Sequence, residues 1–156
     1  MIINFLLTKP VIEQETVSRK IIRELKRARY SIWLANVWFT DNKVYNVLIE
    51  KLQEGLNVEI VLKSNQWTMY ENSNIQEFID AGGEIYLLNE TDNDIVSVEK
   101  YCIVDYSTVI NDYFKPVLHL KPGQGALFVK ENQETLVEQY INDYLLLKNN
   151  YCINRY

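Results

Sequence analysis

Val98-Glu99-Lys100-Tyr101-Cys102-Ile103-Val104-Asp105-Tyr106-Ser107-Thr108-Val109-Ile110-Asn111-Asp112-Tyr113-Phe114-Lys115 reads as a β-hairpin. Two β-rich runs, Tyr101 to Val104 and Thr108 to Ile110, flank the polar turn Asp105-Tyr106-Ser107. Alternation along the first strand sets Val98, Lys100, Cys102 and Val104 on one face. Lys100 is then a charge on an apolar face, which needs a partner, a ligand or an exit to water.

Upstream of the hairpin the periodicities change. Glu13 to Ala28 has helical spacing, with Val17, Ile21, Leu25 and Ala28 as its apolar stripe and basic residues on the other face. Ser31 to Phe39 is a near-continuous apolar run, as in a strand covered on both faces. Thr40-Asp41 offers an N-cap for a helix from Asn42 to Glu54, and Gly55 ends it. Asn57 to Lys63 is the next strand, with Val58, Ile60 and Leu62 on one face. Strand, helix and strand at this spacing predict a βαβ unit with parallel pairing and a right-handed crossover. A polar loop with Trp67 and Tyr70 follows, then a short helix from Asn74 to Ala81, the break Gly82-Gly83, and a strand from Glu84 to Leu88. Loop aromatics in a Tyr-rich chain are read as packing rather than base stacking. Downstream, Gly125 to Lys130 reads as a last strand, and Asn132 caps a helix from Gln133 to Lys148. The chain is read as one domain, 1–156: an N-terminal strand or arm at 1–14, a core at 15–148 and a tail at 149–156.

The hairpin resembles the signature of the phospholipase D superfamily, His-x-Lys-x-x-x-x-Asp followed by Gly-Ser-x-Asn. Lys100 falls on the motif Lys and Asp105 on the motif Asp, whereas Val98 stands at the His position and Asp112-Tyr113-Phe114-Lys115 at Gly-Ser-x-Asn. Two further stretches are similar to single-motif bacterial members. One is Trp38-Phe39-Thr40-Asp41 with the helix and strand that follow; the other is Ala81-Gly82-Gly83 between helix and strand. The resemblance runs from about Glu15 to Lys148. It implies an α/β fold, a mixed and largely parallel sheet with helices on both faces, like one half of the phospholipase D fold. For an intact motif it implies metal-free and cofactor-free phosphodiester cleavage. The His would attack phosphorus, the Lys would bind phosphate oxygens, and a second His would protonate the leaving group. A chain with one motif would gain its second by dimerising.

Val98 can neither attack phosphorus nor carry a proton, and loss of the nucleophile costs many orders of magnitude in rate. The only histidine, His119, lies in a loop 14 residues after Asp105 and is read as a surface residue. Lys100 is either a retained anion site or a half-buried lysine whose stem covers apolar surface, paired with a carboxylate such as Asp112 or Glu84. Asp105 is read as a turn residue accepting backbone N–H bonds. Asp112 adds negative charge where phosphate would sit, and Tyr113 and Phe114 add bulk. Tyr113, Phe114 and Pro116 are expected at a dimer seam.

Composition sets further bounds. The 156 residues are 47% hydrophobic and 24% charged, an ordinary balance for one globular domain with its own core. Formal net charge is −5, which opposes non-specific binding to nucleic acid. Yet Arg19, Lys20, Arg23, Lys26, Arg27 and Arg29 stand against Glu24 alone, a local +5 that leaves −10 for the remainder. Nucleic-acid affinity is expected to be weak or absent; any that exists is assigned to Arg23, Arg27 and their neighbours, with Lys100 as a further binding candidate. The favoured reading of the stripe is a solvated helix face. Two cysteines make no disulfide framework. A Cys102–Cys152 pairing stays open, and a reducing cytoplasm is the simpler reading. The apolar start Ile2 to Leu7 lacks a charged leader and is too short to span a bilayer.

Three functions stay open. The first is a catalytically degenerate phospholipase D-like protein acting by association, as a homodimer or beside a protein partner; a bacterial setting such as phage defence would suit such relatives. The second is a phosphodiesterase or nuclease with an unusual nucleophile, or one completed by an intact partner chain. The third is a non-hydrolytic module for nucleic acid or phosphate.

Overall fold

The structure, a computed structural model, describes residues 19–37, 42–63, 74–88, 100–111, 128–129 and 134–155. Residues 19–27 form helix α1. Then come β1 (Ser31–Ala35), α2 (Asn42–Gln53), β2 (Asn57–Lys63), α3 (Ile75–Asp80), β3 (Glu84–Leu88), β4 (Tyr101–Val104) and β5 (Thr108–Ile110). β6 (Phe128–Val129), α4 (Glu134–Leu146), a π-helical turn (Leu147–Tyr151) and β7 (Cys152–Arg155) complete them.

Among the described residues the strands form one mixed sheet in the order β6-β5-β4-β1-β2-β3-β7. β1 pairs with β2 and β2 with β3 in parallel, as the βαβ spacing predicts. The expected predominance of parallel pairing is confined to these three strands. The other four pairings are antiparallel, and of these only β4 and β5 are joined by a described tight turn.

Alternation divides the core in two. Ile32, Leu34, Val58, Ile60, Leu62, Ile85, Cys102 and Val104 face α1, α2 and α3. Trp33, Val61, Tyr86, Tyr101, Ile103 and Val109 face α4, which contributes Val137 and Tyr144, and the π-helical turn, which contributes Leu147. Both faces of β1 are therefore covered, and all five of its residues are buried. Gly55 at φ 91° ends α2, and Gly82 at φ 102° follows α3, conformations glycine adopts without steric cost. Gly83 lies so close to the Phe78 ring that a Cβ there would come within 2.2 Å of it.

Two expectations are corrected here. The buried run from Ser31 is a strand only as far as Ala35, since Asn36 turns into the left-handed region at φ 55°. Residues 149–156, expected as a tail, include the end of the π-helical turn and strand β7, antiparallel to β3. Cys102 is buried and free on β4. Three strands separate β4 from β7, so Cys152 is far beyond disulfide reach of it. The N-terminal arm, residues 38–41 and the 64–73 loop with Trp67 and Tyr70 lie outside the described residues, as do His119 and Asn132.

Candidate functional site

The hairpin is built as its residues dictate. Val104 and Thr108 close it, and the Ser107 N–H donates to the Val104 carbonyl at 3.0 Å. Asp105 and Tyr106 occupy the turn at φ 52° and 58°. Positive φ at both central residues is what a tight hairpin of this hand needs, and Asp is among the side chains that tolerate it.

The turn sits at the end of the sheet where β1 begins. There the Asp105 carboxylate accepts N–H bonds from Arg29 at 2.9 Å, Tyr30 at 2.8 Å and Ser31 at 3.0 Å. The Asp105 N–H in turn donates to the Ser31 carbonyl at 2.9 Å. Lys100 lies at the other end of β4, about 16 Å away along an extended strand. The two motif residues that are adjacent in pattern are thus not adjacent in space.

Lys100 is exposed and precedes β4, so its alternation with Cys102 and Val104 does not bury it. Its exposure departs from the half-buried reading; of the two carboxylates named as partners, Glu84 accepts the Tyr86 hydroxyl at 2.6 Å, and Asp112 lies outside the described residues. Beside Lys100 lie the carboxyl ends of β1 and β2, the edge where ligands bind in open α/β sheets. Its neighbours there are amides. Asn36 is buried in its left-handed turn and its N–H donates to the Val61 carbonyl at 2.7 Å. Asn111, also buried, donates from Nδ2 to the Tyr140 hydroxyl, and its Oδ1 has no partner among the described residues. The ammonium alone attracts an anion; the amide oxygens are acceptors, and neither amide supplies a nucleophile or a proton-transfer group. The signal for the amides was a polar residue at each end of a buried strand.

Val98, Asp112, Tyr113, Phe114 and Pro116 lie outside the described residues. Arg23 and Arg27 project into solvent from α1, and Arg27 meets Glu24 at 3.3 Å. Among the described residues no group of three or more His, Cys, Asp or Glu could hold a metal ion. No helix there is long and apolar enough to cross a membrane.

A second cluster escaped the sequence reading. Glu59 on β2 is 2% exposed and faces α4, opposite to Val58 and Ile60. It accepts from Lys148 Nζ at 2.9 Å. That ammonium lies 4.7 Å from the centre of the Tyr86 ring and 6.0 Å from that of Trp33. Trp33 stacks on Tyr144 at 4.9 Å and donates to Asn57 at 2.8 Å, and Tyr106 meets its edge. Burial alone would lower Lys148; its hydrogen bond and ion pair with Glu59 outweigh that and hold it above the ordinary lysine value. Burial, and then the Glu59 charge, push the Tyr144 hydroxyl well up. That hydroxyl is buried near Glu59 without forming a hydrogen bond of ordinary geometry. A carboxylate inside a strand covered on both faces is itself a signal, since it demands a cation from elsewhere in the chain.

No curated protein matches the sequence. Among solved structures the chain is similar to Nuc from Salmonella typhimurium, a phospholipase D family member. Identity is 18% and the TM-score 0.65, over 89% of this chain and 90% of that one. It is similar to NucT from Helicobacter pylori at 17% identity and a TM-score of 0.67, over 92% and 93%. It is also similar to TrmBL2, an archaeal chromatin protein described with a novel mode of DNA binding, at 18% and 0.59, over 90% of this chain and 55% of that one. At these identities the likeness is one of fold. A family described as the cardiolipin synthase, PLD-like domain, matches residues 21–111, the span from α1 through the motif hairpin. On that match and this fold, the chain belongs to the phospholipase D-like domain family.

Proposed function

We propose that this chain is a non-hydrolytic phospholipase D-like protein that works by association, as a homodimer or as a subunit beside another protein. The observation that carries this reading is Val98 two residues before Lys100, a methyl-bearing side chain where the reaction needs its nucleophile. The surroundings support it. The motif carboxylate of Asp105 is engaged with the backbone at the far end of β4. The side chains following the hairpin, Asp112, Tyr113 and Phe114, put charge and bulk where the motif has small residues. In a symmetric dimer both nucleophiles are missing at once. Tyr113, Phe114 and Pro116 then fill the seam between two hairpins, the commonest closed arrangement for one chain being two-fold. A stable seam of this kind buries more than about 1,000 Å².

Two measurements test the reading. Bis(p-nitrophenyl) phosphate, DNA and RNA remain uncleaved without metal; turnover that disappears in Lys100→Ala would overturn it in favour of a phosphodiesterase. Light scattering gives about twice the 18.5 kDa chain mass, and Phe114→Asp moves it towards one chain. A monomer that gains mass only with a second protein selects the subunit form.

A further inference from the structure

The outer face of α1 has a charge pattern that its fold does not require. Arg19, Arg23 and Arg27 recur every four residues, a ladder with steps of about 6 Å along the helix. Lys20, Lys26 and Arg29 flank it, and all six cations are exposed. Only Arg27 has an ion pair among the described residues, with Glu24. The opposite face, Ile21, Leu25 and Ala28, is buried against the sheet.

Ordinary helix physics accounts for part of this pattern. Cations in the last turn complement the helix dipole, which covers Lys26 and Arg27. It does not cover Arg19, Lys20 and Arg23, and like charges four residues apart repel one another. The ladder is therefore a surface whose electrostatic cost is relieved by an external polyanion. Its remaining features choose among polyanions. Four of the six cations are arginines, whose planar forks grip phosphate oxygens in pairs. Between Arg19 and Arg27 the ladder has no exposed apolar residue, and the exposed Tyr30 beyond Arg29 is a single ring, so it lacks an apolar face that inserts into a membrane surface. Regular guanidinium rungs suit a regularly repeating phosphate chain better than scattered carboxylates. The local +5 gives a protein of net charge −5 one basic segment by which to meet such a chain.

We propose that the α1 ladder docks the sugar–phosphate backbone of nucleic acid without reading base sequence. This goes beyond the association reading and does not depend on it, since the ladder is not part of the motif edge and the contact needs no hydrolysis. It gives the net acidic chain a salt-sensitive mode of nucleic-acid binding.

The test is anisotropy of a short fluorescein-labelled DNA duplex across a salt series, using the full chain. Three phosphate contacts give a log–log slope of roughly −2.7, a loss of about forty-fold between about 50 and 200 mM salt. Arg19→Gln with Arg23→Gln removes about two-thirds of that slope and weakens binding about tenfold or more at the low-salt end. The charge-matched control Gln139→Glu with Asn142→Glu, on exposed positions of α4 across the sheet, leaves binding nearly intact. All four positions are exposed, so circular dichroism and the melting temperature of both variants stay at the parent values. Absence of saturable duplex binding at low salt overturns the proposal. So does binding indifferent to the α1 pair, or weakened equally by the α4 pair. Binding to polyglutamate or to phosphatidylserine vesicles in place of the duplex overturns the choice of nucleic acid.

Discussion

Asp105 holds three consecutive backbone N–H groups, those of Arg29, Tyr30 and Ser31, at the point where the chain leaves α1 and enters β1. A carboxylate suits this place for two reasons. Hydrogen bonds to a charged acceptor are stronger than neutral ones, and Asp tolerates the positive φ of the turn. Its function is thus in the backbone, independent of any phosphate at the far end of β4. Asp105→Ala is expected to cost about 2–3 kcal/mol, combining lost charged hydrogen bonds with strain at φ 52°. Asp105→Asn keeps an acceptor oxygen and the turn conformation, and should lose roughly half as much. Urea unfolding of the two variants decides it. An alanine variant as stable as the parent would show that the clamp is unnecessary.

At the scale of elements, the π-helical turn is what brings Lys148 onto Glu59. It follows α4 directly and leads into β7, so the ion pair ties the sheet's edge strand to its interior. Glu59 is 3% exposed at its side chain and Lys148 22%, so removing the cation leaves a buried carboxylate with no counter-charge and, among the described residues, only the Asn57 amide as donor. Lys148→Met is expected to destabilise by about 3 kcal/mol, at the low end for a buried pair because the ammonium is partly exposed. Glu59→Leu with Lys148→Met removes both charges and is expected to cost less than Lys148→Met alone. A double-mutant cycle by denaturant unfolding reads the coupling. Additive effects would mean that the two charges contribute independently.

For the whole molecule, three tyrosine hydroxyls, the Cys102 thiol and Lys148 shift in one direction. Burial pushes up the hydroxyls of Tyr45, Tyr86 and Tyr144 and the Cys102 thiol, and neighbouring carboxylates add to the effect for the tyrosines. Tyr45, which donates to the Asn74 carbonyl at 2.9 Å and to Glu77 at 3.2 Å, rises to about 12. Lys148 rises through Glu59. A raised value in the folded state means that the unfolded chain loses its proton first. Stability from the tyrosines and Lys148 is therefore fully present below about 10 and is lost as pH rises from there towards 12. Melting temperatures should hold steady around neutrality and fall steeply above pH 10, and Tyr45→Phe should make that fall shallower. An unchanged slope in Tyr45→Phe would assign the alkaline loss to other groups.

Sequence alone settled whatever depends on near neighbours. The extents of β2 and β3, the stop of α2 at Gly55 and the hairpin with its turn at Asp105 follow from alternation, glycine and turn chemistry within a few residues. The strand-turn-strand frame from Tyr101 to Ile110 was legible for the same reason. Tertiary structure decided what depends on which strands become neighbours. β4 lies beside β1, which sets Asp105 against Ser31 across 74 residues of chain and leaves Lys100 exposed at the opposite edge. The pairing of Glu59 with Lys148 spans 89 residues. β7 joins β3 although its short polar sequence reads as a tail. Periodicity states which face of a strand is apolar, but not which strand will hydrogen-bond to its edge. That choice is made by burial of the whole sheet, and with it the surroundings of every charge that the sheet encloses.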